Sequence, residues 1–273
     1  MRAKVGFTLI ELLVVIAILG ILAALLLPVL STAKGRGRTV RCFNNVRQLH
    51  LGWLMYANDH EDRLARCAAG PGAGSTLENP GWVAGEMELD CDAGDKLASI
   101  STDMLVGPAY APFGSIGGYV RNAAVYRCPG DKSTVTFPNG PLPRVRSVSM
   151  NVFMGGNPVS PFRHFARLQD IVAPAPSEAW VFMDEREDSI NDGLFAINAA
   201  AHYAIVDYPG SYHSGGACLS FTDGHVEVHR WVERTTQPPL IPNERLPGGS
   251  KPTSPYDRDM IWLLAHSTSP AQP

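Results

Sequence analysis

The sequence lacks the short motifs that usually mark an enzyme active site. It contains no Gly-x-Ser-x-Gly elbow, no phosphate-binding glycine-rich loop, no Cys-x-x-Cys and no His-Glu-x-x-His. Ser211, Ser214 and Ser220 lie near His213 in the chain, but proximity in sequence says little about the geometry of a catalytic triad. These absences predict a protein that is not an enzyme and has no catalytic residues.

The sequence is also short of positive charge. Only 18% of its 273 residues are charged, and the formal net charge is −3. The arginines between Arg36 and Arg47 are better explained as a solvated helix surface or as contacts to lipid head groups than as a nucleic-acid site. We therefore expect no nucleic-acid partner.

The amino terminus carries the strongest positive signal. A basic leader through Gly6 precedes an apolar stretch over residues 7–30, which is long enough to cross a bilayer. One acid, Glu11, lies inside this stretch. An ionised side chain in the membrane interior is energetically costly, so Glu11 is a candidate functional residue. A secretory signal has a shorter apolar core and no such acid, although Ser31 to Ala33 could imitate its cleavage site. A plain single-span anchor is the other alternative.

Residues Lys4 to Leu13 resemble the cleavage and methylation signature of type IV prepilins and of the pseudopilins of type II secretion. The resemblance implies that a membrane-embedded prepilin peptidase and methyltransferase cuts between Gly6 and Phe7 and methylates the new Phe7 amino terminus. It also implies that Glu11 pairs with the Phe7 ammonium of a neighbouring subunit. Such a pair attracts strongly in a medium of low dielectric constant.

The basic leader also predicts how the chain is oriented. The positive-inside rule leaves the leader in the cytoplasm and places the rest across the inner membrane, with the head in the periplasm. Loss of Arg2 and Lys4 with the leader lowers the net charge to −5. Disulfides persist in that oxidising space, and five cysteines leave at least one unpaired within the chain.

The remaining pattern predicts an α+β fold with three segments. These are a leader at 1–6, a stem helix at 7–64 with its transmembrane part at 7–30, and a β-rich head at 65–273. Pro28 should kink the stem. One face of the later stem is apolar at helical spacing, formed by Cys42, Val46, Leu49, Trp53, Tyr56 and Ala57.

One strand and one hairpin stand out in the predicted head. Residues 179–183 are apolar throughout and predict a buried strand. Residues 217–222 and 225–231 flank Asp223-Gly224, a sequence favoured in two-residue turns. A turn of that kind sets Phe221 opposite Val226 and Leu219 opposite Val228 on an apolar face, with Cys218 on the polar face.

His213 and Asp223-Gly224 resemble the H-X9-DG element of a group of pilin-like proteins. Further blocks resemble that group at residues 41–49, 126–131, 184–193 and 212–213. The group's stem and Cys-Pro cysteines occur together, which implies a Cys42–Cys128 disulfide, with Cys67–Cys91 as the second pair and Cys218 left over. Alternatively, Cys42 is a small buried hydrophobic residue.

A metal site in the head is a further hypothesis. Asp184, Glu185, His213 and Asp223 are its candidate ligands, and calcium is the candidate ion. No EF-hand spacing is present, however, and His213 and Asp223 can instead hydrogen-bond loop backbone beside the hairpin.

These features together predict a structural, pilin-like subunit. The preferred interpretation is a pseudopilin of type II secretion that assembles with itself or with other pilin-like subunits into a filament. One alternative is a type IV pilus subunit for adhesion, motility or DNA uptake. Another is a membrane-anchored periplasmic binding or enzymatic head that does not polymerise.

Overall fold

The computed structural model describes residues 8–87, 93–156, 161–198, 204–241, 244, 246 and 251–271. The predicted cleavage site at Gly6 and Phe7 and the predicted disulfide partner Cys91 lie outside these residues.

The stem is one continuous helix, α1, from Leu9 to Asp59. Its apolar first part has the length and composition of a membrane span, and none of that part is buried within the chain. The helix continues through Pro28, which has no N–H for the carbonyl one turn before it. The hydroxyls of Ser31 and Thr32 both donate to the Pro28 carbonyl, at 2.8 and 3.0 Å.

The stem ends earlier than the predicted boundary at residue 64. Glu61 and Asp62 adopt left-handed backbone conformations, with φ of 57° and 62°. A right-handed α-helix requires negative φ, so two consecutive residues with positive φ cannot continue it. The chain therefore turns away after Asp59 and enters the head.

The head adds short helices and strands to the stem. Its α-helices are α2 (Ala93–Ile100), α3 (Asp103–Val106), α4 (Gly117–Val120) and α5 (Arg258–Ala265). Its strands are β1 (Thr134–Phe137), β2 (Gly140–Pro143), β3 (Val148–Asn151), β4 (Trp180–Asp184), β5 (Leu194–Phe195), β6 (Ala204–Ile205), β7 (Gly216–Phe221), β8 (Val226–Arg230) and β9 (Lys251–Pro252). This arrangement confirms the α+β fold.

A central sheet in the order β5-β3-β4-β7-β8 supports the head. Strand β4, which the apolar run at 179–183 predicted, is buried along its whole length. The stem packs on this sheet through β4, β7 and β8. The buried stem residues are Cys42, Val46, Leu49, His50, Gly52, Trp53 and Ala57, which confirms the predicted stripe except at half-buried Tyr56.

The β7–β8 hairpin exists, but its predicted register was wrong by one residue. Ser220 lies opposite Val226 and Cys218 opposite Val228. The Gly224 N–H donates to the Phe221 carbonyl at 2.8 Å, and Gly224 has a φ of 94°. The turn is therefore centred on Thr222-Asp223, with Gly224 as a left-handed bulge residue, rather than on Asp223-Gly224. This shift places Cys218 on the face that it shares with Val226 and Val228.

His50, buried on the stem, predicts a pH dependence of head stability. Burial lowers the pKa of His50 to about 4, although the nearby Asp223 carboxylate opposes this. The unfolded chain, with a His pKa of about 6.5, then binds more protons than the folded chain between these values. Stability should fall by up to about 3 kcal/mol as the pH drops from about 6.5 to 4.

The test compares the chain with its His50→Leu variant in detergent. Denaturant unfolding across this pH range should show a smaller loss of stability for the variant, because leucine does not titrate. Carboxylates elsewhere contribute equally to both proteins and cancel in the difference. If the free energy of unfolding fell equally with pH in both proteins, His50 would not be the source of this pH dependence.

Candidate functional site

The start of the stem forms a capping box around Glu11. The backbone N–H of Thr8 donates to Glu11 Oε2 at 2.8 Å, and the Thr8 hydroxyl donates to the same oxygen at 2.7 Å. The Glu11 N–H donates in return to the Thr8 hydroxyl oxygen at 3.3 Å. The carboxylate thus satisfies free donors in the first helical turn and faces the positive end of the helix dipole. Within a single chain this carboxylate is exposed.

A second site lies where the head meets the stem. Four ligand-type side chains meet there: Cys42 from α1, Cys128 from the segment before β1, Asp184 from the end of β4 and His213 from the loop before β7. Their ligand atoms all lie within 4.8 Å of one another, and all four residues are buried. We call these four residues the junction cluster.

His213 is the centre of the junction cluster. Its Nε2 atom lies 3.3 Å from Cys128 Sγ and 3.4 Å from Asp184 Oδ2. Its Nδ1 atom lies 3.2 Å from the hydroxyl of Thr39 on the stem. The imidazole therefore contacts head and stem at once.

The backbone around the cluster holds Cys128 and Asp184 in place. The Cys128 N–H donates to the Ser147 hydroxyl at 2.7 Å, and the Gly130 N–H donates to Cys128 Sγ at 3.3 Å. The Cys218 N–H donates to Asp184 Oδ1. Gly210 closes the site, since a Cβ there would lie 2.8 Å from Asp184 Oδ2.

The sulfurs and the imidazole shift one another's pKa values. Hydrogen bonding from Cys42, together with His213, lowers the pKa of Cys128 against the effect of burial. The same contact, with Cys218 and burial, raises the pKa of Cys42 well above its usual value. Burial alone lowers the pKa of His213, but Asp184, Cys128 and Cys218 outweigh it and raise that pKa to about 12.

The cysteines differ from the pairing that the resemblance implied. Cys42 and Cys128 are neighbours but free thiols, so no disulfide joins them in this structure. Each sulfur has other partners: Cys128 contacts His213 and Gly130, and Cys42 contacts Cys218. Cys67 is buried elsewhere and donates to the Asn151 carbonyl at 3.2 Å. The Cys67–Cys91 pair stays a prediction.

The four predicted metal ligands do not converge, which corrects that prediction. Glu185 is buried outside the junction cluster, where it accepts from Ser149 at 2.5 Å and from Ser189 at 2.7 Å. Burial raises the pKa of Glu185 well above its usual value. Asp223 lies at the hairpin turn and accepts from the His225 N–H at 3.1 Å. For Asp223, this is the backbone hydrogen bonding that was the alternative to a metal site. Asp184 and His213 do meet, and sulfur rather than further carboxylate completes their surroundings.

Sequence reasoning missed two residues of this region. Cys218 contacts Cys42 and His213, but the predicted hairpin register placed it on the polar face. Thr39 precedes Cys42 by one helical turn, and this spacing is the only signal in the sequence that could have linked the two.

Residues 1–27 match the family model of the prokaryotic N-terminal methylation motif. No curated protein and no solved structure matched the chain. The motif and the long apolar helix support a pilin-like subunit that is anchored in a membrane. The motif also implies processing by a prepilin peptidase and assembly with other pilin subunits.

Proposed function

We propose that this protein is a pseudopilin, a structural subunit of a type II secretion system or a closely related filament. Prepilin peptidase releases the leader in the inner membrane, and the stem then packs against neighbouring stems with the head in the periplasm. The methylation motif is the observation that carries this proposal. The continuous apolar stem and the exposed Glu11 carboxylate at its start support it.

The head has a structural role in this proposal rather than an enzymatic one. Glu185 and Asp223, two of the ligands considered from the sequence, make hydrogen bonds within the head. The head would therefore determine which molecules contact the filament surface. No calcium is required for this role.

Processing distinguishes a pilin-like subunit from a simple membrane anchor. Mass spectrometry of the chain from its native membrane should find an amino terminus at methylated Phe7. Gly6→Leu should block cleavage and retain Met1, because the resemblance places the cut after this glycine. Gly20→Leu is the matched control. No described residue lies within 4 Å of a Cβ at Gly20, so processing should be unaffected. Retention of Met1 by the unaltered chain would refute the proposal.

A type IV pilus subunit is the alternative with the same chemistry. The two are separated by the genes beside the coding sequence. A secretion ATPase and a secretin without a retraction motor would support the secretion role, whereas a retraction motor would support the pilus.

A further inference from the structure

We propose that the junction cluster binds one zinc ion, with Cys42, Cys128, His213 and Asp184 as its ligands. Two thiolates, an imidazole and a carboxylate are all established zinc ligands. With Zn–S bonds of ~2.3 Å, ligand atoms in a tetrahedral site lie about 3.8 Å apart. The four ligand atoms here lie within 4.8 Å of one another before any ion is considered. Only small side-chain movements are needed to close the site.

The contact with Thr39 prepares His213 to act as a ligand. The Thr39 hydroxyl lies 3.2 Å from the Gly35 carbonyl, which can only accept, so the hydroxyl hydrogen points to Gly35. The Thr39 oxygen is then free to accept from His213 Nδ1–H. Zinc binding displaces the proton that Asp184 favours on Nε2 in the metal-free chain, while Nδ1–H stays with Thr39. The lone pair is then on Nε2, the atom beside Cys128 and Asp184. A second hydrogen bond of this kind orients most histidines that bind metal.

Asp184 presents one oxygen that lacks a hydrogen-bond donor. Its Oδ1 accepts from the Cys218 N–H, whereas its Oδ2 is fully buried and has no hydrogen-bond partner among the described residues. Oδ2 lies 3.4 Å from His213 Nε2, which is an ion-pair contact when the imidazole is protonated and too long for a close hydrogen bond. A buried acceptor without a partner is costly, and a cation between these atoms removes that cost.

The donors select zinc over the calcium considered from the sequence. Calcium requires six to eight oxygen ligands, and among the residues that the structure describes a single carboxylate joins this cluster. Thiolate sulfur is a soft ligand, and a tetrahedral set of sulfur, nitrogen and oxygen is typical of zinc. Four buried protein ligands also fill the coordination sphere, which indicates a structural site rather than a catalytic one.

The ion would join two parts of the molecule. Cys42 and the supporting Thr39 belong to the stem, whereas the other three ligands belong to the head. Zinc binding therefore favours the docked arrangement and stabilises the head on the stem. This inference does not depend on polymerisation, because all its ligands come from one chain.

The first test measures metal content in the full-length chain, purified in detergent with reductant. The expected result is one zinc per chain, replaceable by Co²⁺ with the absorption spectrum of tetrahedral cobalt thiolate. Cys128→Ser and His213→Gln should each lose the ion and the spectrum. The controls Cys67→Ser and His225→Gln alter residues of the same types outside the cluster and should keep one ion. Asp184→Asn retains an oxygen for the Cys218 N–H and should weaken binding at least about tenfold without unfolding the head.

A second test probes the positioning role of Thr39. Thr39→Val should weaken zinc binding by about 10–100-fold in competition with a chelator. Stability of the metal-free chain should change little, which separates positioning from a merely structural effect. Thr32→Val is the control, since the Thr32 hydroxyl donates to the Pro28 carbonyl of the same helix. The proposal is overturned if the unaltered chain binds no more zinc than Cys128→Ser. A metal-free chain with a Cys42–Cys128 disulfide in its native membrane overturns it as well.

Discussion

Glu11→Gln is expected to prevent incorporation of the subunit into filaments while leaving its membrane insertion intact. Incorporation should fall by more than about tenfold, because removing one partner of a buried ion pair is strongly unfavourable. The partner that we propose, as the prepilin resemblance implies, is the Phe7 ammonium of an adjacent subunit. Insertion should persist because the apolar span is unchanged and glutamine is less costly in lipid than an ionised acid.

The capping box makes glutamine more informative here than alanine. Glu11 accepts from the Thr8 N–H and hydroxyl, and glutamine can make these same contacts. Glu11→Gln therefore removes the charge but keeps the helix start. Glu11→Ala removes both and should assemble no better.

Thr8→Val provides the reciprocal control. It removes the hydroxyl that caps the helix but keeps the Glu11 charge, so assembly should remain close to normal. The measurement is the amount of each variant in sheared filaments relative to the membrane pool. Normal incorporation of Glu11→Gln would exclude the ion pair. If Thr8→Val failed to assemble while Glu11→Gln assembled normally, the role of Glu11 would be to cap the helix.

The stem was predictable because local patterns determine it. The apolar run, Glu11 and the stripe from Cys42 to Ala57 depend on composition and helical period, which act within a few turns. The end of the helix was less predictable. The left-handed conformations at Glu61 and Asp62 depend on how the chain enters the head, and neither Glu nor Asp requires this conformation.

The hairpin shows how a small turn difference can invert a prediction. Asp223-Gly224 fits a two-residue turn, but it also fits the end of a three-residue loop with Gly224 as the bulge. The two choices differ by one residue of register, which exchanges the faces of the strand. Cys218 was therefore assigned to the polar face, whereas it contacts Cys42 of the stem.

The junction cluster was only partly accessible from sequence. Cys42, Cys128 and His213 were each recognised, but the strand, loop and helix that bring them together are tertiary features. Asp184 and Glu185 looked equivalent as neighbours in sequence. Alternation along an extended chain separates them: Asp184 contacts His213, whereas Glu185 contacts Ser149 and Ser189.

Leu49→Ala should destabilise the docked head by about 2–5 kcal/mol, the range for large-to-small changes in protein cores. Leu49 is fully buried on the face of α1 that packs against the head. Truncation of Leu49 removes apolar contacts and leaves a cavity between the stem helix and the head, which rigid neighbours fill only partly. Alanine is a good helix former, so the stem itself should persist.

Leu51→Ala is the matched control, because the same substitution two residues later affects a half-exposed side chain. Its cost should lie within about 0.5 kcal/mol. Both variants are compared by denaturant unfolding of the monomeric chain in detergent, since filament neighbours could cover Leu51. If Leu49→Ala cost as little stability as Leu51→Ala, the head would not depend on this face of the stem.

The expected difference would show that Leu49 belongs to the contact that holds the head on the stem. Thr39 and Cys42 lie on that same stem. A loosened contact should therefore also weaken zinc binding at the junction cluster, which chelator competition on Leu49→Ala can measure.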